Sequence, residues 1–162
     1  MNVVIGVADC HVTSDTANVL VTYALGSCIA ISIYDPVARV GGLLHFMLPE
    51  APPGAAQAGK SPYMFADSGI PMMFREAYEK GAQKRRLRVC AAGGAKIMDE
   101  QGVFNIGQRN CVAMRKIFWK AGVIVHAEDT GGKIARTMRF EIASGRIFLR
   151  SPEGPGEREL TG

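Results

Sequence analysis

Residues 22–48, TYALGSCIAISIYDPVARVGGLLHFML, decide the fold at its centre. The segment 27–35 places three isoleucines at alternate positions, which predicts a strand with one strongly apolar face. The segment 41–48 predicts a second strand. Between them, Asp35 followed by Pro36 is typical of the first two positions of a type I turn. The two strands are therefore expected to pair as an antiparallel hairpin.

The turn also predicts the register of this hairpin. If Pro36 and Val37 occupy its centre, Asp35 lies opposite Ala38, and counting outward along both strands places Cys28 opposite His45. Directly opposed residues share a face, with Cβ atoms about 4.5–5.5 Å apart. A bulge or a longer loop would change this register. The expected pairing brings a thiol within reach of an imidazole.

A neighbouring thiol and imidazole suggest a nucleophile and its acid–base partner. Proximity to His45 can lower the pKa of a cysteine and produce the thiolate that attacks carbonyl groups. Gly26 permits a sharp turn, so the backbone N–H groups around Ser27 and Cys28 are candidate oxyanion donors. Thr22, on the preceding strand, could hydrogen-bond His45 and hold its ring, a role that Ser27 could share. The structural alternative is that Cys28 and His45 are ordinary core residues, since most buried cysteines are inert.

The rest of the chain adds more strands than helices. Further strands are expected at 3–12, 18–25, 87–95, 123–130, 135–142 and 145–150, and helices at 67–83 and 105–122. The segment 49–61 is rich in Ala, Gly and Pro and is expected to be a loop near the site. Short connections favour antiparallel or mixed β-sheets with helices packed outside them, which is an α+β fold.

Composition favours one domain in a reducing compartment. Residues 1–150 of the 162 are expected to form that domain, and the polar, Pro- and Gly-rich segment 151–162 a disordered tail. No apolar run is long enough to cross a bilayer and no signal peptide is evident, so a cytoplasmic protein without membrane insertion is expected. The four cysteines form no CxxC pair, so free thiols and no metal site are expected. The net charge of +4 is concentrated at 84–88, a solvated basic run without nucleic-acid motifs.

Several separated motifs, in order and spacing, resemble the CheD family of chemoreceptor glutamine deamidases. They are TYALGSCIAISIYDP (22–36), GGLLHFMLP (41–49), YMFADSGIP (63–71, through its Tyr, Asp, Ile and Pro), AGGA (92–95), FNIGQRN (104–110) and DTGG (129–132). The resemblance covers roughly residues 3–150 of this chain.

The resemblance implies a catalytic triad of Cys28, His45 and Thr22, and an α-β-β-α sandwich with helices outside paired sheets. It implies hydrolysis of particular glutamines to glutamate on the cytoplasmic helical bundle of methyl-accepting chemotaxis receptors, through a cysteine thioester and without a metal or organic cofactor. It also implies that some members hydrolyse receptor glutamate methyl esters, and that many bind CheC, a phosphatase of the response regulator CheY.

Three alternatives remain from the sequence. The chain could chiefly be a regulatory binding module for a CheC-type phosphatase, a receptor glutamate methylesterase, or a generic cysteine peptidase. The sequence leaves open which receptor glutamines are substrates, whether a CheC-type partner exists and how many copies of the chain associate.

Overall fold

The computed structural model describes residues 1–96 and 105–161. Phe104 of the FNIGQRN motif and Gly162 of the predicted tail lie outside the described residues. The strands are β1 (Asn2–Val4), β2 (Asp9–Thr13), β3 (Val19–Leu25), β4 (Ile29–Asp35), β5 (Val40–Phe46), β6 (Arg88–Gly93), β7 (Ala127–Thr130), β8 (Arg136–Glu141), β9 (Ile147–Arg150) and β10 (Glu157–Glu159). The helices are α1 (Ala66–Glu79) and α2 (Ile106–Ala121).

The strands of residues 1–96 and 105–161 form two five-stranded sheets. The central sheet has the order β2-β5-β4-β6-β7, and the outer sheet has the order β1-β3-β8-β9-β10. Every residue of β4 and β5 is buried. The reason is that the outer sheet covers one face of the central sheet and both helices pack on the other face.

The predicted α+β class, with mixed sheets and helices packed outside them, is confirmed. In the described part of the chain both helices lie on one side of the sheets, so the layers are sheet, sheet and helices rather than the four of an α-β-β-α sandwich. Gly41 allows the two sheets to approach closely. A Cβ atom there would lie 2.6 Å from Cδ1 of Ile142 and 2.8 Å from Cζ of Phe140.

Two segments differ from the sequence expectation. The predicted first strand, 3–12, is two strands in different sheets, because the chain turns at Ala8, which has a φ of +60°. The tail expected to be disordered contains β10, which pairs with β9, and it buries Leu160 between the sheets. Pairing is mostly antiparallel as expected, but β1 with β3 and β6 with β7 are parallel.

The two helices begin and end near the expected residues. The predicted helix 67–83 ends at Glu79, and Pro71 lies inside it, just beyond the first turn. The predicted helix 105–122 is α2, which stops where Gly122 adopts the left-handed conformation, a common end for helices. In the described residues, neither helix has the length and apolar character needed to cross a membrane.

Candidate active site

The β4–β5 ladder pairs His45 with Ala30 and not with Cys28. The register predicted from the sequence is wrong by two residues, because the connecting loop contains the four residues 36–39 and closes on the pair Asp35–Val40. Arg39 in this loop has a φ of +54°, and the Asp35 carboxylate accepts the N–H groups of Val37 and Ala38.

An error of two residues preserves the face, because side chains alternate along a strand. Cys28 precedes Ala30 by two residues and packs against the cluster between the two sheets. His45 follows Leu43, a member of that cluster, by two residues. The thiol and the imidazole therefore share the face of the central sheet that meets the outer sheet, as diagonal neighbours and not as a directly opposed pair.

Thr22 and His45 meet in the buried space between the sheets. Oγ1 of Thr22 lies 2.7 Å from Nδ1 of His45 and 2.7 Å from the carbonyl oxygen of Ile5. A hydroxyl has one proton to donate, and the carbonyl oxygen can only accept. The hydroxyl therefore donates to Ile5, and Nδ1–H of His45 donates to the hydroxyl. This arrangement assigns the proton to Nδ1 and leaves a lone pair on Nε2.

The lone pair of Nε2 is buried and has no hydrogen-bond partner in the part of the chain that the structure describes. His45 as a whole is 2% exposed. The structure thus brings Thr22 and His45 into contact, whereas Cys28 and His45 are on one face without a hydrogen bond between them. An unpaired buried acceptor costs about 1–3 kcal/mol. Such an atom is available to take a proton from a group that approaches it.

A β-bulge lies immediately after Thr22. The register of β3 with β8 shifts between Thr22 and Leu25, and Ala24 has a φ of +54°. The N–H of Ala24 donates to the side-chain hydroxyl of Thr137 at 3.3 Å. Bulges occur often beside active sites, where they redirect side chains. Here the bulge lies in the last part of β3, between Thr22 and the turn that leads to Cys28.

Two glycines at the end of β6, Gly93 and Gly94, hold the backbone of Cys28. The N–H of Gly94 donates to the carbonyl of Cys28 at 2.9 Å, and the N–H of Ala95 donates to the carbonyl of Gly26 at 2.8 Å. A Cβ atom at Gly93 would lie 2.2 Å from the Cys28 carbonyl oxygen, and Gly93 has a φ of +116°. Only glycine fits this close approach of the two strands.

The candidate oxyanion donors make no backbone hydrogen bond in the described residues, although the N–H of Cys28 lies close enough to its own thiol to offset part of the rise that burial causes in the thiol pKa. The backbone N–H groups of Ser27 and Cys28 donate to no backbone carbonyl in the described ranges 1–96 and 105–161. Gly26, Ser27 and Cys28 are all half-buried, so the turn is reachable from solvent. Backbone N–H groups next to a thiol have the chemistry needed to stabilise an oxyanion.

Asn110 is a buried polar residue that the sequence reasoning missed. It lies on α2 and is fully buried, and its amide nitrogen donates to the carbonyl oxygens of Ser27 at 2.9 Å and Met47 at 3.0 Å. One signal was available in the sequence. Asn110 falls on the same helical stripe as Gly107 and Met114, which are also buried, and a polar residue on such a stripe requires hydrogen-bond partners.

Burial determines the resting charge state of the site. It raises the pKa of the Cys28 thiol, which the backbone N–H of Cys28 partly offsets. It lowers the pKa of His45 from 6.5 to about 4. At neutral pH the resting site therefore contains a neutral thiol and a neutral imidazole, and not the thiolate expected from the sequence.

Among residues 1–96 and 105–161, no set of three or more His, Cys, Asp or Glu side chains is placed to hold a metal ion. The four cysteines are free thiols. What the geometry provides is a thiol, an imidazole oriented by a hydroxyl, and backbone donors at the junction of two sheets.

The fold and this constellation define an α+β protein with a cysteine, a histidine and a threonine in the space between its two sheets. The sequence profile described as "CheD chemotactic sensory transduction" matches residues 47–151. The chain therefore belongs to the CheD family.

Curated relatives match nearly the whole chain. A protein of Solibacter usitatus named "Probable chemoreceptor glutamine deamidase CheD" is 51% identical over 98% of this chain and 92% of its own length. "Probable chemoreceptor glutamine deamidase CheD 1" of Syntrophus aciditrophicus is 48% identical over 95% of this chain and 96% of its own. "Probable chemoreceptor glutamine deamidase CheD 2" of Anaeromyxobacter dehalogenans is 46% identical over 92% and 94%.

Proposed function

We propose that this chain hydrolyses glutamine side chains to glutamate on the cytoplasmic helical bundle of chemoreceptors, with Cys28 as the nucleophile. Membership of the CheD family and the names of the relatives support the substrate and the reaction. The observation that carries the proposal is that Nε2 of His45 is buried and has no hydrogen-bond partner in the described residues. Thr22 holds the other ring nitrogen, Nδ1, and Cys28 packs against the inter-sheet cluster that the imidazole also borders.

The first half of the reaction forms a thioester. Nε2 of His45 removes the thiol proton as the sulfur of Cys28 attacks the carboxamide carbon of the substrate. Negative charge develops on the carboxamide oxygen, where the N–H groups of Cys28 and Ser27 stabilise it. The proton on Nε2 then passes to the amide nitrogen, the carbon–nitrogen bond breaks, and ammonia leaves.

The second half of the reaction releases the product. Nε2 of His45 removes a proton from a water molecule, whose oxygen attacks the thioester carbon. The carbon–sulfur bond breaks, and the Cys28 sulfur takes back the proton. The net reaction converts glutamine and water to glutamate and ammonium, because the released ammonia takes the proton of the new carboxylic acid, and it returns the enzyme to its starting state. Nδ1–H donates to Thr22 throughout, so the ring keeps one orientation in both halves.

The neutral resting site suits this route. A neutral imidazole can act as a general base immediately, whereas an imidazolium would first have to lose its proton. The raised pKa of Cys28 keeps the thiol protonated until a substrate carbonyl arrives. Thiol and imidazole thus act together in the attacking step.

The test is mass spectrometry of a glutamine-containing receptor fragment incubated with the chain in heavy-oxygen water. We expect the wild type to convert specific glutamines to glutamates that carry one heavy oxygen atom. Cys28→Ala should abolish the conversion. Cys90→Ala is the matched control, because Cys90 is another half-buried thiol beside the same inter-sheet cluster and should leave the conversion intact.

Other results would favour the remaining functions. Release of methanol from a methylated receptor without any change at glutamine would identify a methylesterase, and cleavage of the receptor backbone would identify a peptidase. Stimulation of a CheC-type phosphatase by wild type and Cys28→Ala alike, with no receptor chemistry by either, would identify a regulatory binding module. Full deamidation by Cys28→Ala would refute the assignment of the nucleophile.

A further inference from the structure

Asn110 bridges the two segments that carry the candidate catalytic thiol and imidazole. The regular β4–β5 ladder ends at the pair Ile29–Phe46. Just beyond this pair, the carbonyl oxygens of Ser27 and Met47 both accept from the amide nitrogen of Asn110, at 2.9 Å and 3.0 Å. Ser27 adjoins Cys28 in the chain, and Met47 follows His45 by two residues.

The chemistry at this position calls for a primary amide. Two carbonyl oxygens are both acceptors, so the group between them must supply two donors. The –NH₂ of asparagine supplies two without introducing a charge into a site where Asn110 is fully buried. A reversed amide would place Oδ1 against two carbonyl oxygens, so the hydrogen-bond pattern fixes the orientation of the side chain. A carboxylate or an alkyl group would leave the two carbonyls unpaired.

The hydrogen bond to Ser27 also determines where the N–H of Cys28 points. The peptide between Ser27 and Cys28 is planar and trans, so its C=O and N–H point in opposite directions. Holding the Ser27 carbonyl on Asn110 therefore turns the Cys28 N–H away from α2. The next peptide is held as well, because the Cys28 carbonyl accepts from Gly94. Both peptide planes that flank the thiol are thus fixed.

We propose that Asn110 is a positioning residue of the active site: its amide clamps the Ser27 and Met47 carbonyls and thereby aims the Cys28 N–H at the developing oxyanion. This inference rests on the proposed function, in which Cys28 is the nucleophile. Asn110 acts through the backbone of Cys28 and does not itself contact the reacting atoms. The same two hydrogen bonds also hold the end of β4 and the end of β5 at a fixed separation.

The test compares Asn110→Ala and Asn110→Ser with Met114→Ala. Met114 is fully buried one turn further along α2, and its side chain has no donor for either carbonyl, so its variant reports loss of helix packing. Asn110→Ser keeps one donor and provides a milder variant if Asn110→Ala does not fold. The readouts are the pH dependence of Cys28 alkylation, measured on its own peptide by mass spectrometry, and kcat and KM on the receptor fragment.

We expect the Asn110→Ala alkylation profile to move to higher pH, with a rate at neutral pH about tenfold lower than that of the wild type. We expect kcat to fall about 10²-fold, the effect of losing one oxyanion donor, with KM changed by no more than about twofold. We expect Asn110→Ser to have an alkylation rate and a kcat between those of Asn110→Ala and the wild type. Met114→Ala should unfold more easily and keep both the wild-type alkylation profile and the wild-type kcat.

A lower unfolding midpoint for the Asn110 variants, with wild-type alkylation and kcat, would overturn the proposal and leave Asn110 a packing residue. The alkylation measurement needs no receptor substrate. If the wild type deamidates nothing, the proposed function fails, and the alkylation profile still decides whether Asn110 sets the environment of Cys28.

Discussion

Thr22 and His45 connect the two sheets through one buried hydrogen bond of 2.7 Å. Thr22 belongs to β3 of the outer sheet and His45 to β5 of the central sheet. The surrounding inter-sheet cluster is apolar, so this polar contact is isolated from water. Because the Thr22 hydroxyl must also donate to Ile5, the contact has a direction, and that direction leaves Nε2 unprotonated.

Replacing Thr22 with valine should therefore impair catalysis more than binding. Thr22→Val keeps the shape but removes the group that holds Nδ1–H. We expect a cost of about 10–100-fold, which is the size of the effect when a metal-bound histidine loses its orienting partner. We expect that loss in kcat on the receptor fragment. Thr22→Ser keeps the hydroxyl and should retain most of the activity. Equal rates for Thr22→Val and the wild type would show that the ring needs no such partner.

The pH dependence of kcat/KM should reflect a neutral imidazole and a neutral thiol. Burial lowers the pKa of His45 to about 4 and raises that of Cys28. The active form has His45 unprotonated and Cys28 protonated. We therefore expect activity to rise with pH through about 4, stay level across neutrality and decline only in the alkaline range.

The measurement is kcat/KM on the receptor fragment across that pH range, together with Cys28 alkylation by iodoacetamide. A resting thiolate–imidazolium pair would make Cys28 alkylate rapidly at neutral and mildly acid pH. Because both groups are neutral in the resting site, we expect Cys28 to alkylate slowly at neutral and mildly acid pH. An acid limb of activity near the ordinary pKa of histidine, 6.5, would contradict the buried neutral imidazole.

Stability should also depend on pH through His45. Its pKa is 6.5 in the unfolded chain and about 4 in the folded protein, so between these values the unfolded state binds a proton that the folded state does not. The free energy of unfolding is unaffected by this group above pH 6.5 and falls as the pH drops toward 4. At about 1.4 kcal/mol per pH unit, the loss between about pH 7 and about pH 5 is about 2 kcal/mol.

Urea unfolding at those two pH values checks this expectation, with His45→Asn as the control. Asparagine can still donate an N–H toward Thr22 but does not titrate. The variant should therefore lose about 2 kcal/mol less on acidification than the wild type does. An identical loss in both proteins would assign the acid sensitivity to other groups.

The sequence predicted the elements well because their patterns are local. The alternating isoleucines of β4 and the glycine that ends α2 are signals within one segment. The hairpin register was wrong because the Pro36–Arg39 loop depends on distant partners. The Asp35 carboxylate accepts the N–H of Gln83 at 2.8 Å and pairs with Arg86 at 2.8 Å. Burial alone would raise the pKa of Asp35, but these bonds hold it at about 2.

The candidate site was likewise predicted where its residues lie in one local segment and missed where it depends on distant residues. Thr22, Cys28 and His45 lie close together in sequence, and a register error of two residues kept Cys28 and His45 on one face. Asn110 was missed because its partners, the carbonyls of Ser27 and Met47, are more than sixty residues away. The protonation states were missed because burial by the outer sheet determines them, and no local pattern reports that sheet.

The C-terminal segment 151–162 is a strand-containing part of the fold in the structure, whereas its composition predicts disorder. Leu160 is 9% exposed and packs between the sheets, and β10 extends the outer sheet beyond β9. Full burial of a leucine side chain stabilises a fold by about 1.5–3 kcal/mol, whereas exposed ion pairs contribute little. Deleting residues 151–162 should therefore lower the free energy of unfolding by about 2 kcal/mol in urea, and Leu160→Ala should account for most of that loss.

Glu153→Ala, an exposed change in the same segment, should leave the free energy of unfolding within about 0.5 kcal/mol of the wild type. If the deletion leaves the unfolding midpoint unchanged, β10 contributes nothing to the fold and the composition-based expectation of a disordered tail is correct.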